Sequence, residues 1–432
     1  MTRARRVASS TFRSLHNRNY RLFFFGQLIS LIGTWMQSVA LGWLVYTLTK
    51  SPTQIGVVIA IQFTPTLLGS IHGGLIADRF DKRKVLFFTQ SALAAQAVVL
   101  AAVALSGSAT LPILYVLAFA QGMAITVDNP TRQAFVTEMV GTDDLTNAVG
   151  LNSAMFNMAR ILGPAIGGVL IDVVGVGTCF TINAVSFVAV IGGLAMMRTQ
   201  ELFRGAPAAR AKGQLREGLR YAWEEPTLRL VLVIIAVIGT LAMNFTVVLP
   251  VVAKQVFGGN AGTYGFMSAV MGVGALVGAL VAASRSRPTI RLLAVAAAAF
   301  GITMLADALA PTLPLEMLAL ALTGAASITF MSTANATVQL TSRPEMRGRV
   351  MSLYMLLFLG STPIGGPLIG AVGERWGARW SLAIGGVSCL VGAAATLPVL
   401  TRARATRRLE TQAGTLPAAD AETVGAGEPA AA

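Results

Sequence analysis

The stretch Gly74-Leu75-Ile76-Ala77-Asp78-Arg79-Phe80-Asp81-Lys82-Arg83-Lys84 stands between two apolar blocks, residues 53–77 and 85–106. Each block has the roughly 20 residues that an α-helix needs to cross a bilayer. The stretch turns the chain around between them, and its four cations hold the turn at one membrane face. Gly74 lets the end of the preceding helix pack closely against a neighbour. Asp78 can accept hydrogen bonds from a facing helix N-terminus or an arginine, a contact that exists in one conformation and breaks in another. Gly74, Asp78, Arg79 and Arg83 are therefore candidates for a conformational gate. The plainer reading is a basic loop with an incidental aspartate.

Outward from this turn the same pattern repeats along the chain. Apolar blocks at 20–47, 53–77, 85–106, 111–131, 147–172 and 176–197 make a first set of six. Blocks at 230–252, 263–284, 290–310, 313–336, 348–372 and 376–400 make a second. The 432 residues are 54% hydrophobic and only 12% charged, about half the charge of soluble chains. The expected fold is an all-α membrane protein of twelve transmembrane helices in two six-helix pseudo-symmetric bundles. A basic N-terminus (1–19) precedes the first bundle (20–197), a charged linker (198–229) joins it to the second (230–400), and a tail (401–432) rich in Ala, Gly, Thr and Glu is expected to be disordered.

With twelve crossings, 28 of the 33 Lys and Arg fall on the side of the two termini, against Lys50, Lys254, Arg375 and Arg379 on the other. That asymmetry places both termini in the cytoplasm of a bacterial inner membrane. The net charge of +14 is spread over these short loops, which argues against nucleic acid and for the lipid bilayer as partner. No cleavable signal peptide is legible in the basic, polar start. Cys179 and Cys389 lie inside apolar blocks and read as small buried residues, with no metal site and no cofactor expected. No phosphate-cradling Gly-x-x-x-x-Gly-Lys-Ser/Thr loop and no enzyme signature is present.

The halves share sequence as well as length. Ile166-Gly167-Gly168-Val169-Leu170-Ile171 recurs 198 residues later as Ile364-Gly365-Gly366-Pro367-Leu368-Ile369. Two related halves are the architecture from which alternating access around a central cavity follows. In the fifth block, Ala159, Gly163 and Gly167 recur every four residues and form a groove for a partner helix, while Pro164 frees a backbone carbonyl and bends the helix.

These residues carry a family resemblance. The 74–84 stretch resembles the loop signature of the major facilitator superfamily, Gly-x-x-x-Asp-Arg-x-Gly-Arg-Arg, with Asp81 where that pattern has Gly and Lys82 for its first Arg. Gly150, Ala159, Gly163-Pro164 and Gly167-Gly168 resemble the fifth-helix motif of superfamily exporters, with Ala159 in place of one Gly. Asp128 to Phe135 and Arg343 to Ser352 are similar to a branch of enterobactin-exporter-like and macrolide-efflux-like secretion proteins, and add Arg132, Arg347 and Arg349 to the gate candidates. The resemblance implies export of siderophores or drugs. It also implies a membrane-embedded Arg three residues before Gln121-Gly122, where this chain has Ala118.

Arg160 offers a different cation. It lies deep in the fifth block, where an unpaired charge costs roughly 2.5–3.5 kcal/mol or more, so it must be paired or face water. It is read either as a cavity residue that pairs with an anionic or phenolic substrate group, or as a structural Arg bonded to carbonyls or to Asp128. Other cavity candidates are Gln27, Thr34 and Gln37, which share a polar stripe with Ser30 on the first helix, Asn157 beside Arg160, and the isolated Asn244 and Tyr354. Trp35, Trp43, Phe156 and Phe358 are possible aromatic lining. Asp128 and Glu138 are coupling candidates.

The expected function is secondary active export, by proton antiport, of small amphipathic molecules through rocker-switch alternating access by a monomer. The rival readings are an uptake permease and, from a different class, a non-transporting membrane scaffold or sensor.

Overall fold

The computed structural model describes residues 12–203, 214–283 and 289–398, with the side chains of Ile71 and residues 214–216 left aside. The tail from 401, where disorder is expected, lies outside the described residues. Within them the chain is helical from end to end. The first half holds α1 (Arg18–Thr49), α2 (Pro52–Arg79), α3 (Lys82–Leu105), α4 (Leu111–Val140) and α5 (Leu145–Ala195). The linker contributes α6 (Gln214–Glu224). The second half holds α7 (Pro226–Leu241), α8 (Phe245–Val251), α9 (Ala261–Ala283), α10 (Ile290–Leu309), α11 (Leu313–Thr341), α12 (Arg347–Trp376) and α13 (Ala378–Ala395). Lipid offers no partner for a backbone amide, so each crossing satisfies its own hydrogen bonds as a helix.

Eleven helical stretches among the described residues are long and apolar enough to span a membrane. One of them, α5, is 51 residues long, more than twice what a bilayer requires. Gly175, at φ 82 and ψ 165, breaks it into two crossings, which makes twelve. A side chain is strained at that φ, and glycine is not. Gly377, at φ 96, makes the matching turn between α12 and α13. The seventh crossing is itself interrupted: α7 ends at Leu241, α8 starts at Phe245, and a wider turn runs over Val252–Val256.

Local chemistry sets the helix starts. The Asn17 side chain accepts from the Tyr20 amide at 3.1 Å at the start of α1. Ser51 caps α2, with Pro52 in the first turn, where its missing N–H costs nothing. Asp81 caps α3 by accepting from the Lys84 amide at 3.1 Å. The residue that departs from the superfamily loop signature thus has a structural task of its own. Within 198–229, the described residues include a helix, α6, too short and too polar to register in a search for bilayer-length blocks. Arg220 pairs with Glu224 one turn along it at 2.9 Å, and Glu217 reaches Arg349 of the second half at 2.5 Å.

The repeated Ile-Gly-Gly motif explains how the halves meet. Gly167 faces α1 of its own half, where a Cβ would come within 2.9 Å of the Met36 side chain, and Gly365 likewise faces Thr240 of α7. The second glycine of each pair faces the other half. A Cβ on Gly168 would stand 2.8 Å from the Ala261 carbonyl oxygen and 2.9 Å from the Gly265 Cα of α9. Gly366 lies against Gly56 of α2, where a Cβ would stand 3.1 Å from the Gly56 carbonyl oxygen. The two copies build the α5–α9 and α2–α12 contacts, related by the pseudo-symmetry. Further contacts strengthen the same end: Asp172 accepts from the amides of Ala261 at 3.1 Å and Gly262 at 2.8 Å, and Glu374 accepts from Ser51 Oγ at 2.6 Å and from Thr53. This end, opposite the basic loops, is closed.

Candidate functional site

Between the halves lies a cavity of about 550 Å³. It is walled by α1, α2, α4 and α5 on one side and by the break at Met243 and Asn244, α8, α9, α11 and α12 on the other. Its surface is mostly apolar, with Trp35, Phe63, Phe156 and Phe358 as rings and Met243, Met271 and Met331 as flexible thioethers. Trp35 and Phe156 meet edge to face, 5.7 Å between centroids. Met side chains adapt to ligands of varied outline, as on other promiscuous surfaces. A few polar groups interrupt this lining: Gln37, Gln62, Gln121, Asn244 and Ser327 among them.

Arg160 reaches the cavity from α5, one turn before Pro164, and is the one charged side chain in the lining among the described residues. It makes no hydrogen bond or ion pair to described residues, so neither the carbonyl-bonded reading nor the reach to Asp128 is what the geometry shows. Gln37 also lines the cavity, and is fixed from behind: Asn183 donates to its Oε1 at 2.7 Å, and its amide donates to Gln96 at 3.2 Å. Asn244 sits at the break between α7 and α8, donating to the Thr240 carbonyl at 2.7 Å. Irregular backbone at membrane depth is tolerated where it borders such a cavity.

Four other candidates are elsewhere. Gln27 is buried near the basic end of α1, with its Oε1 unpartnered among the described residues. Thr34 and Asn157 turn back onto their own helices, donating to the carbonyls of Ser30 and Ser153, each at 2.9 Å. Tyr354 is buried in the second half. Trp43 stacks near Tyr46 and is also outside the lining. Helical spacing groups residues on one face but does not say which sector of that face meets the cavity. Conversely, Gln62, Tyr264, Ser268 and Thr362 line the cavity and were not singled out. Gln62 carried a signal, as a lone amide within an apolar block.

The gate candidates occupy the basic end. Gly74 is buried, Asp78 half-buried and Arg79 exposed at the last turn of α2. Arg83 donates to the carbonyls of Leu194 and Ala195 at 2.7 and 3.0 Å, tying α3 to the end of α5. Arg132 bonds Asn129 at 2.7 Å and stands 3.9 Å from Asp128. Arg347 donates to the Gln339 carbonyl at 2.9 Å, and Arg349 pairs with Glu217 of α6. The cations that bond here thus do so within their own half or with the linker helix. Of the coupling candidates, Asp128 is buried and accepts from Thr89 at 2.8 Å and Gln90 at 2.7 Å, while Glu138 pairs with Lys82 at 2.6 Å. Neither lines the cavity. In the fifth-helix motif, Ala159 is fully buried, Gly163 lies against α1, where a Cβ would come 2.5 Å from that of Trp35, and Gly150 has open space around it.

The sequence pattern of the transmembrane secretion effectors matches residues 9–420, nearly the whole chain. The chain belongs to this family of the major facilitator superfamily. A relative of this effector is the staphyloferrin A transporter of Staphylococcus aureus, 25% identical over 375 residues, which cover 86% of this chain and 93% of that one. The multidrug efflux pump Tap of Mycolicibacterium fortuitum is 28% identical over 369 residues, covering 82% and 89%. The enterobactin exporter EntS of Shigella flexneri is 24% identical over 398 residues, covering 91% and 94%. The fold is shared with a bacterial homologue of the human lysosomal transporter Spinster in its inward-facing, unoccupied conformation, at a TM-score of 0.69, 14% identity and coverage of 88% and 96%. The effector family and these relatives are transporters, and multi-pass membrane embedding follows.

Proposed function

We propose that this effector is a secondary active exporter of small amphipathic molecules, siderophores or drugs, that works by alternating access and exchanges its substrate for protons. The observation that carries the proposal is the cavity between the halves: rings and thioethers around one deeply placed, unpaired guanidinium. Such a surface takes a molecule with an apolar body and an anionic or phenolic group, and a guanidinium binds a carboxylate or phenolate by charge-assisted hydrogen bonds. The roles of its relatives, enterobactin export and multidrug efflux, fit this chemistry.

Asp172 and Glu374 hold the opposite end closed in the pose described. In the complementary pose these contacts part, and the basic end closes through Gly74, Asp78 and the arginines around it. The positive loops support a cytoplasmic position for that end, which would make the pose described the one that loads substrate from inside. Residues of both halves of one chain line the cavity, which supports function as a monomer.

The test is flux. Proteoliposomes holding the purified protein and an imposed pH gradient should expel a macrolide, ethidium or an iron-free catecholate chelator faster than protein-free vesicles. A deletion strain should be more sensitive to the drugs or secrete less chelator. Equal flux with and without protein for all three probes, together with an unchanged strain, would overturn the proposal.

A further inference from the structure

Two acids lie outside both the cavity and the gate. Asp307 is on α10 near its end, and Glu316 is on the first turn of α11; they are 2% and 0% exposed. Thr323 donates to Asp307 Oδ2 at 2.7 Å. The remaining three carboxyl oxygens, Asp307 Oδ1 and both of Glu316, meet no donor among the described residues. The two acids stand on either side of one short turn, Asp307 three residues before Ala310 and Glu316 on the first turn of the next helix. Arg379 does not ion-pair with either acid: its guanidinium donates to the carbonyl of Ala310, in the turn that joins the two helices, at 2.8 Å.

Ionised carboxylates are not left buried without donors. Such a group takes up a proton instead, and two neighbouring acids in a low-dielectric site cannot both ionise. The other charged or titratable groups at this end, on the elements packed around the pair, are Glu374 and Arg375 of α12, Tyr264 of α9 and Lys254 in the turn after α8. Cys389 lies further along α13. Of all these, Arg379 is the cation bonded to the turn between the two acids.

The position of Arg379 connects the pair to the closed end. It follows the Gly377 turn directly, and Glu374, which bonds Ser51 and Thr53 of the other half, precedes the same turn. Parting of the halves there breaks the Glu374 contact and frees the turn that carries Arg379.

We propose that Asp307 and Glu316 form a shared proton-binding site whose occupancy is linked to closure of the end opposite the basic loops. In the closed pose the pair is sealed and holds its proton. When the end opens, the pair exchanges its proton with the water on that side. A carboxylate formed there is balanced by the guanidinium of Arg379, released from Ala310, and protonation from that side favours closure, the direction that exchange of an inward-moving proton for outward-moving substrate requires. Linkage fixes the sign: a pose that keeps the proton is favoured as pH falls, and opening is favoured as pH rises. Its place in a transport cycle rests on the proton exchange proposed above. The linkage itself does not require export.

The experiment uses the full chain in lipid vesicles, with spin labels on Ser108→Cys in the first half and Gln255→Cys in the second. Both positions are exposed, whereas Cys179 and Cys389 are buried. Between about pH 6 and about pH 9 the population of long inter-label distances should rise about threefold or more. Asp307→Asn with Glu316→Gln copies the neutral, protonated pair in shape, and should stay closed at every pH. Infrared difference spectra of the same samples supply a second reading. The carbonyl stretch of a protonated carboxyl should be present at neutral pH, be lost on opening, and be missing from the double variant. A pH response that persists unchanged in the double variant, or a neutral-pH spectrum that is the same with and without the two acids, would overturn the proposal. Probe flux measured on the same vesicles judges export separately, so either reading can fail with the other intact.

Discussion

Arg160 and Asp128 show how one residue type can be read from its partners. Arg160 is polar, deep and unpaired among the described residues, which is the state of a side chain awaiting a ligand, and its removal should act on binding. A charge-assisted hydrogen bond contributes about 1.5–3 kcal/mol, so Arg160→Ala should lower the export of an anionic or phenolic chelator by about tenfold to a hundredfold. Arg160→Lys keeps the charge but loses the fork, and should fall between. Export of cationic ethidium should be unaffected or rise, and vesicle flux compares the three. Asp128 is the opposite case: its carboxylate is held by Thr89 and Gln90 with Arg132 at its edge. Asp128→Asn should therefore cost about 1–3 kcal/mol of stability, seen as a lower midpoint in thermal unfolding, and leave the dependence of flux on the pH gradient in place. Gradient-independent flux in a variant of normal stability would make Asp128 the coupling group instead.

At the scale of the element, the α5–α9 contact is the clearest case of sequence written for close approach. Gly168 leaves no room for a Cβ against the α9 backbone, and the carboxylate of Asp172 meets the first amides of α9, where the helix dipole favours a negative charge. Gly168→Val should cost the closed pose about 1–3 kcal/mol through overpacking. Asp172→Asn should cost it about 0.5–2 kcal/mol through the lost charge at the helix start. Both should shift the same Ser108–Gln255 label distances toward the open end. Gly163→Ala, which faces α1 inside one half, should lower stability and leave the balance between poses nearly unchanged.

For the whole molecule, the basic loops and the closed end lie at opposite ends of the two bundles. If the loops face the cytoplasm, Lys82→Cys should react with a membrane-impermeant maleimide only after cells are broken. Gln255→Cys should react in intact cells. The reverse pattern would turn the proposed transport direction around. The eleven long apolar stretches and the twelve crossings agree only because α5 folds back at Gly175. The proposed movement of one half against the other is supported by an interface of small residues and a few polar contacts at one end, with no broad ion-pair network among the described residues.

Sequence alone determined the membrane class, the number of crossings and the two related halves. Hydropathy and charge are properties of consecutive residues, and lipid leaves the backbone only one economical response to them. It also marked Arg160 as out of place, because a charge in an apolar block is conspicuous on any reading. Tertiary structure decided the rest. It showed that Gln37 and Asn244 line the cavity while Gln27, Thr34, Asn157 and Tyr354 do not, which depends on the rotation and tilt of each helix against eleven others. It also buried Asp307 and Glu316 on either side of one turn, with three of their four carboxyl oxygens lacking a donor among the described residues. Polar side chains are visible in a sequence, but whether a buried acid meets a hydrogen-bond partner is fixed only when the neighbouring helices are in place.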